Sequence, residues 1–142
     1  MTGPAPLILH ASCVAVGARG LLILGPTGSG KSSLALQMIG LGADLVADDA
    51  VELLPSGDAL IARCPPAITN LIEARQVGLL SVPAVPEARI VLAVDLGQEE
   101  DARLPEKHEI VLHGQRIDLV KSARVPHFPA SLLLYLQHGR SA

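Results

Sequence analysis

Tryptophan is absent from this chain, and phenylalanine and tyrosine occur once each. A core without aromatic bulk has to be packed from leucine, isoleucine, valine and alanine, and the 49% apolar content supplies them. Cysteine is nearly as scarce. Cys13 and Cys64 stand far apart at no metal-ligand spacing, and read as reduced cytosolic thiols. No apolar run approaches the ~18 residues of a membrane span, and the N-terminus lacks the basic-then-apolar form of a signal peptide. An excess of positive charge is missing too: a net charge of −3 argues against a nucleic-acid partner. These absences point to a cytoplasmic protein with no membrane segment. Its 142 residues, 1–142, are expected to form one domain large enough to bury a core.

What the chain does have is Gly25-Pro26-Thr27-Gly28-Ser29-Gly30-Lys31-Ser32, a match to the phosphate-binding pattern GxxxxGK[ST]. The apolar run Gly20-Leu21-Leu22-Ile23-Leu24 precedes it, and Ser33-Leu34-Ala35-Leu36-Gln37-Met38-Ile39 follows. The motif therefore sits between a strand and a helix, the context it requires. Gly25, Gly28 and Gly30 can take positive φ and turn successive N–H groups inward around a phosphate. The helix N-terminus points its positive end at the same place. Lys31, placed in a solvated loop, would reach the β- and γ-phosphates, and the Ser32 hydroxyl would ligate Mg²⁺. Residues 25–33, Ser33 included, form the candidate site for ATP.

Elsewhere the pattern is mostly strand. Leu7 to Val16 reads as one strand that turns at Gly17 to Gly20 into the strand before the loop. Asp44 to Ala47 fits a buried strand ending at Asp48-Asp49. Val51–Leu54 and Ala59–Ala62 flank a hairpin turn at Pro55-Ser56-Gly57-Asp58. Pro65-Pro66 punctuates the chain before the stretch Ile68 to Arg75. Arg89 to Leu96 is a further strand, and the polar segment Gly97 to His108 reads as a mobile surface loop. Glu109–Leu112 and Gln115–Val120 form a second hairpin, and Pro129–His138 a last helix closed by Gly139. The fold class is α/β, a P-loop domain with a mixed or antiparallel sheet.

Phosphoryl transfer needs an acid near the metal and a group to take the nucleophile's proton. Asp48 and Asp49 stand at the carboxyl end of a strand one helix past the loop, where open α/β sheets keep their sites. Adjacent carboxylates in extended chain cannot both face one site, so one turns away and needs a partner. His10 is the candidate partner. In isolation each of these residues has a plainer reading. Asp-Asp could be a solvated turn, His10 a core residue, Glu73 and Arg75 a surface ion pair, and Arg103 an ordinary exposed charge.

Four segments in order change that balance: His10-Ala11-Ser12, Gly25 to Ser32, Val46-Ala47-Asp48-Asp49, and Ile72-Glu73-Ala74-Arg75-Gln76-Val77-Gly78-Leu79-Leu80. Together they resemble the catalytic domain of HPr kinase/phosphorylase over nearly the whole chain. The resemblance implies a fold related to phosphoenolpyruvate carboxykinase. It further implies ATP- and Mg²⁺-dependent phosphorylation of a serine of HPr, the phosphocarrier of the sugar phosphotransferase system. It places a catalytic acid/base at Asp49, supporting roles at Asp48 and His10, phosphate binding at Lys31, and metal ligation at Ser32 and Glu73. Ala102-Arg103-Leu104-Pro105 would be the remnant of a flexible loop whose arginine approaches the phosphates. Asp49 would take the serine proton, a contribution of ~10²–10⁴-fold. Lys31, Mg²⁺ and Arg103 would neutralise charge on the transferred group.

Three features depart from the family pattern. The chain begins almost at its catalytic core, Gln76 stands where glycine is usual, and Val125-Pro126-His127-Phe128-Pro129 does not match the segment tied to dephosphorylation. The kinase activity is thus better supported than the phosphorylase activity. Homo-oligomers, hexamers in particular, are expected from the family alone. The competing readings are a small-molecule kinase or ATPase without protein acceptor, and a catalytically silent nucleotide sensor.

Overall fold

In the computed structural model, which describes residues 5–65 and 70–142, the chain opens with Leu7–Leu9 (β1), Ser12–Val16 (β2) and Arg19–Leu24 (β3). Helix Lys31–Gly40 (α1) leads to Asp44–Ala47 (β4), Val51–Ser56 (β5), Ala59–Arg63 (β6), Leu71–Ala74 (β7) and Gly78–Ser81 (β8). Glu87–Glu99 (β9), His108–Leu112 (β10), Gln115–Ser122 (β11) and helix Phe128–His138 (α2) complete it. Part of the stretch read from Ile68 lies outside the described residues. No helix among those described is long and apolar enough to cross a membrane.

The main sheet runs β1-β5-β6-β9-β3-β2-β4, with β11 also on β9 and β10 outside β11. It is mixed, as expected. β3, β9 and β11 are parallel to one another and the other pairs antiparallel. β6 and β11 share the edge of β9 that β3 leaves open, β6 beside Glu87 to Arg89 and β11 from Leu92 onward. The loop strand β3 is thus central and buried, which explains its unbroken apolar run.

The strand expected over Leu7 to Val16 is two strands. β1 leaves at His10-Ala11 and pairs with β5, Leu7 opposite Leu53, while β2 pairs with β3 and β4. In a flat sheet β1 and β2 would lie ~24 Å apart, five spacings of ~4.8 Å. The link His10-Ala11 can bridge no more than ~12 Å. Asp48-Asp49-Ala50 joins β4 to β5 across the same gap. Both links demand a sheet curled until its ends meet, and the seam runs past His10 and Asp49.

Strand alternation sorts the core onto two faces. Cys13, Leu22, Val46, Leu53, Leu60, Ala62 and Ala93 fill the concave side. Small side chains suit so tight a curl, and no aromatic residue is needed there. Val14, Leu21, Ile23, Leu92 and Val94 face outward, under Leu34, Ala35 and Met38 of α1 and Leu132 and Leu136 of α2. Each fully buried leucine contributes roughly 1.5–3 kcal/mol by leaving water. Arg19 ties α2 down through a hydrogen bond from Nε to the Leu136 carbonyl.

The segment Gly97 to His108 is not loop throughout. Gly97, Gln98 and Glu99 prolong β9, His108 opens β10, and only residues 100–107 connect them. That connection is clasped at its base. The Glu100 N–H donates to the Ser122 carbonyl at 2.9 Å, and His108 Nε2 lies 3.1 Å from Glu100 Oε1. Hydrogen bonds from His108 and the Ala102 N–H hold the Glu100 carboxyl below its ordinary range. Arg140 reaches the Pro105 carbonyl from beyond α2. In place of the expected mobile loop over Gly97 to His108 stands a shorter connection tethered at several points.

Candidate functional site

The P-loop takes its shape from glycine. Gly25, Gly28 and Gly30 have φ of 148°, 82° and 100°, and a Cβ on Gly25 would stand 2.5 Å from Ser29 Oγ. α1 follows directly from Gly30, which offers no side-chain cap, and its first turn carries no acid. Its leading N–H groups are therefore left for an anion, with the helix dipole behind them.

Lys31 differs from expectation. It is buried, and Nζ donates to the Gly25 carbonyl at 2.8 Å and the Pro26 carbonyl at 3.1 Å. An ammonium removed from water needs such partners, and the loop carbonyls are its nearest acceptors. Lys31 braces the loop that it serves.

The two aspartates divide their tasks in an unforeseen way. Asp48 Oδ1 accepts hydrogen bonds from Ser32 Oγ at 2.9 Å and from buried Ser12 Oγ at 2.7 Å. Asp49 turns away through a φ of 72°. It meets His10, with Nε2 and Oδ1 2.9 Å apart and both side chains largely exposed. The expectation that Asp49 faces the loop and that Asp48 contacts His10 is corrected: Asp48 holds the loop serine and Asp49 the histidine. The left-handed backbone at Asp49 swings consecutive carboxylates apart, and the curl of the sheet delivers His10 to the second.

His10, Ser32, Asp48 and Asp49 line a single cavity of about 500 Å³, together with Thr27, Gly28, Gly30, Lys31, Ser33, Leu36, Glu73 and Arg75. Glu73 and Arg75 arrive on the β7–β8 hairpin, which packs against α1 through buried Ile72. At its turn Gln76 has a φ of 68°, a left-handed geometry that side chains resist and glycine adopts freely. The glycine usual at this position has a plain backbone reason. Arg103 is exposed in the loop at 100–107 and does not line the cavity.

The donor set suits a hard cation shared with phosphate. Ser32 and Asp48 are already in contact and Glu73 shares their cavity. No cluster of three or more His, Cys, Asp or Glu among the described residues could hold a metal alone. Such a site fits Mg²⁺, which uses one or two carboxylates and takes its remaining ligands from phosphates and water.

Two residues escaped the sequence reading. Ser12 was visible only as one hydroxyl in an apolar strand, and its role required knowing that β2 lies beside β4. Arg75 read as half of a surface ion pair, and nothing local could have brought its hairpin to the loop.

Comparison with known proteins bears on the family and the fold. The family description HPr Serine kinase C-terminal domain matches residues 5–122. HPr kinase/phosphorylase of Cupriavidus necator is 35% identical over 120 residues, covering 79% of this chain and 36% of the relative. The protein of the same name from Chromobacterium violaceum is 32% identical over 121 residues, 80% of this chain and 38% of the relative. The chain thus spans little more than a third of the length of these relatives. In fold it matches the Hpr(Ser) kinase/phosphatase structure from Coxiella burnetii, with a TM-score of 0.77 at 22% identity, covering 92% of this chain and 94% of that one.

Proposed function

The chain belongs to the HPr serine kinase C-terminal domain family, and from that premise we propose that it transfers the γ-phosphoryl group of ATP to a serine of HPr. The observation that carries this reading is the contact between Ser32 Oγ and Asp48 Oδ1 at 2.9 Å, on the wall of a cavity shared with Lys31 and Glu73. It supplies a phosphate cradle, a metal-side acid and room for an acceptor in one place.

Gly25 to Ser33 would wrap the phosphates, with Lys31 exchanging its loop carbonyls for phosphate oxygens. Ser32 and Glu73 would hold Mg²⁺, which when bound neutralises charge on the phosphates. Both hydrogen bonds to Asp48 use Oδ1, which leaves Oδ2 for the hydroxyl of the incoming serine. Asp48 therefore takes the general-base role and Asp49 the supporting one, the reverse of the expected assignment. The His10–Asp49 pair orients the seam of the sheet and the mouth of the cavity. Arg103 keeps a part only if its loop swings toward the phosphates. A cytoplasmic setting and homo-oligomeric assembly belong to the same reading.

Incubation with γ-labelled ATP, Mg²⁺ and purified HPr tests the reading. Label is expected on one HPr serine, and loss of that serine should abolish it. Tight ATP binding with no label on HPr would favour the silent sensor, and release of inorganic phosphate alone the ATPase.

A further inference from the structure

The P-loop has a second flank. Beyond the reacting end, between α1 and the chain that follows β11, lies a separate pocket of about 230 Å³. Gly30 and Ser33 belong to both cavities, so the two meet at the first turn of α1. We infer that this second pocket receives the nucleobase of the triphosphate.

The inference rests on the phosphate-binding reading above and adds the direction in which the nucleotide lies. Ser32, Lys31 and Asp48 fix the reacting end on the side of β4, since β4 delivers Asp48. A triphosphate laid along the loop must extend its nucleoside the opposite way. On that side of β3 stand β9 and then β11. Their carboxyl ends supply Leu96 and Ala123 to the pocket, which follows the rule that ligands bind beyond the carboxyl ends of parallel strands. The loop thus separates one cavity for chemistry from one for binding.

The pocket's lining has the character that a base needs. None of its residues is charged, and it holds the only phenylalanine in the chain, Phe128. Val125 and Pro126 add an apolar edge beside that ring. A π-face and apolar walls favour stacking of a flat heterocycle. Gln37 brings an amide with both donor and acceptor to the rim. Ser29, whose buried hydroxyl has no hydrogen-bond partner among the described residues, forms the wall nearest the loop. The segment is also held in position. Arg124 pairs with Glu99 at the end of β9, and the Phe128 N–H donates to the Val125 carbonyl at 3.1 Å. The volume is below the usual range for a drug-sized ligand and on the scale of one heterocycle.

Calorimetric titration of the full chain with ATP and, separately, with inorganic tripolyphosphate isolates the base, because only ATP carries one. ATP should bind at least ~10-fold more tightly, the lower part of the range that stacking one base supplies. Phe128→Ala and the milder Val125→Ser should erase most of that advantage, leaving tripolyphosphate affinity within about twofold. Val125 is partly exposed, so its substitution keeps the test open if Phe128→Ala fails to fold. Equal affinities in the parent chain would overturn the base pocket while leaving the P-loop reading intact. Equal weakening of both ligands by the folded variants would also overturn it, as a merely structural effect. Binding of neither ligand would sink the P-loop reading and the pocket with it.

Discussion

On the β4 flank of the P-loop, His10, Lys31, Asp48, Asp49, Glu73 and Arg75 crowd one cavity, while the β11 flank carries no charge and sets leucine, valine, proline and the lone phenylalanine beside Ser29, Ser33 and Gln37. Both flanks border the same first turn of α1. In the proposed reading, one loop serves two purposes. Charge is gathered where charge must be moved, and apolar surface where a ligand need only be held. A second contrast lies inside the polar flank. Asp48 is held by two hydroxyls, one from Ser32 of the loop motif and one from Ser12 of β2, whereas Asp49 stands at the surface with a histidine.

The largest effect is expected from Lys31→Ala, which strikes the boundary common to both flanks. ATP affinity should fall by more than ~10²-fold, the scale of losing a buried charge that meets a charged ligand. The variant should also lose about 1–3 kcal/mol of stability, because the Gly25 and Pro26 carbonyls lose their donor. Calorimetric titration and thermal unfolding check the two parts separately.

The two aspartates come next. Asp48→Asn should reduce transfer to HPr by at least ~10²-fold, within the reach of a general base. Asp49→Asn should reduce it by no more than ~10-fold. Nucleotide affinity should hold or improve slightly for Asp48→Asn, since a negative charge beside the phosphates is gone. Single-turnover transfer rates decide the matter, and the opposite order would return the base role to Asp49.

Glu73→Gln should act more narrowly. The Mg²⁺ concentration at half-maximal activity should rise several-fold, as expected when a divalent ion loses one of its few carboxylates. Affinity for ATP without metal should stay within twofold. A drop in metal-free binding would place Glu73 on the nucleotide rather than on the ion.

Gln76→Gly should have the smallest effect, and in the favourable direction. Relief of the left-handed backbone at φ 68°, less the entropy that glycine gains when unfolded, should stabilise the chain by about 0.5–1 kcal/mol. Chemical denaturation measures it, and a loss of stability would mean that the Gln76 side chain itself holds the hairpin turn.

Local sequence carried much of this structure. The strand, loop and helix around Gly25 to Ser32, the β5–β6 and β10–β11 hairpins and α2 all depend on neighbours in the chain, and their signals were readable within a few positions. The split between β1 and β2 was not, because β1 answers to β5 far along the chain, as the Leu7–Leu53 register shows. The same non-local step hid which aspartate His10 would meet, and the place of Ser12. Lys31 misled for another reason: a glycine-rich loop reads as solvated, yet its own carbonyls can bury an ammonium. Gly97 to Glu99 look polar because β9 outruns the core, and polarity alone does not distinguish a strand end from a loop.

The seam where the sheet meets itself has a consequence for how the molecule is made. α1 can form from local contacts, but β1 must find β5 and β3 must find β9, whose Leu21–Leu92 register joins distant stretches of chain. Closing such long loops is entropically unfavourable and slows folding relative to helix formation. His10 and Asp49 sit on the two links that bring the ends of the sheet together. Their contact cannot precede closure, so the polar cavity is complete only once the slowest pairings are in place. A nascent or partly unfolded chain can therefore carry an intact P-loop helix without a complete polar cavity.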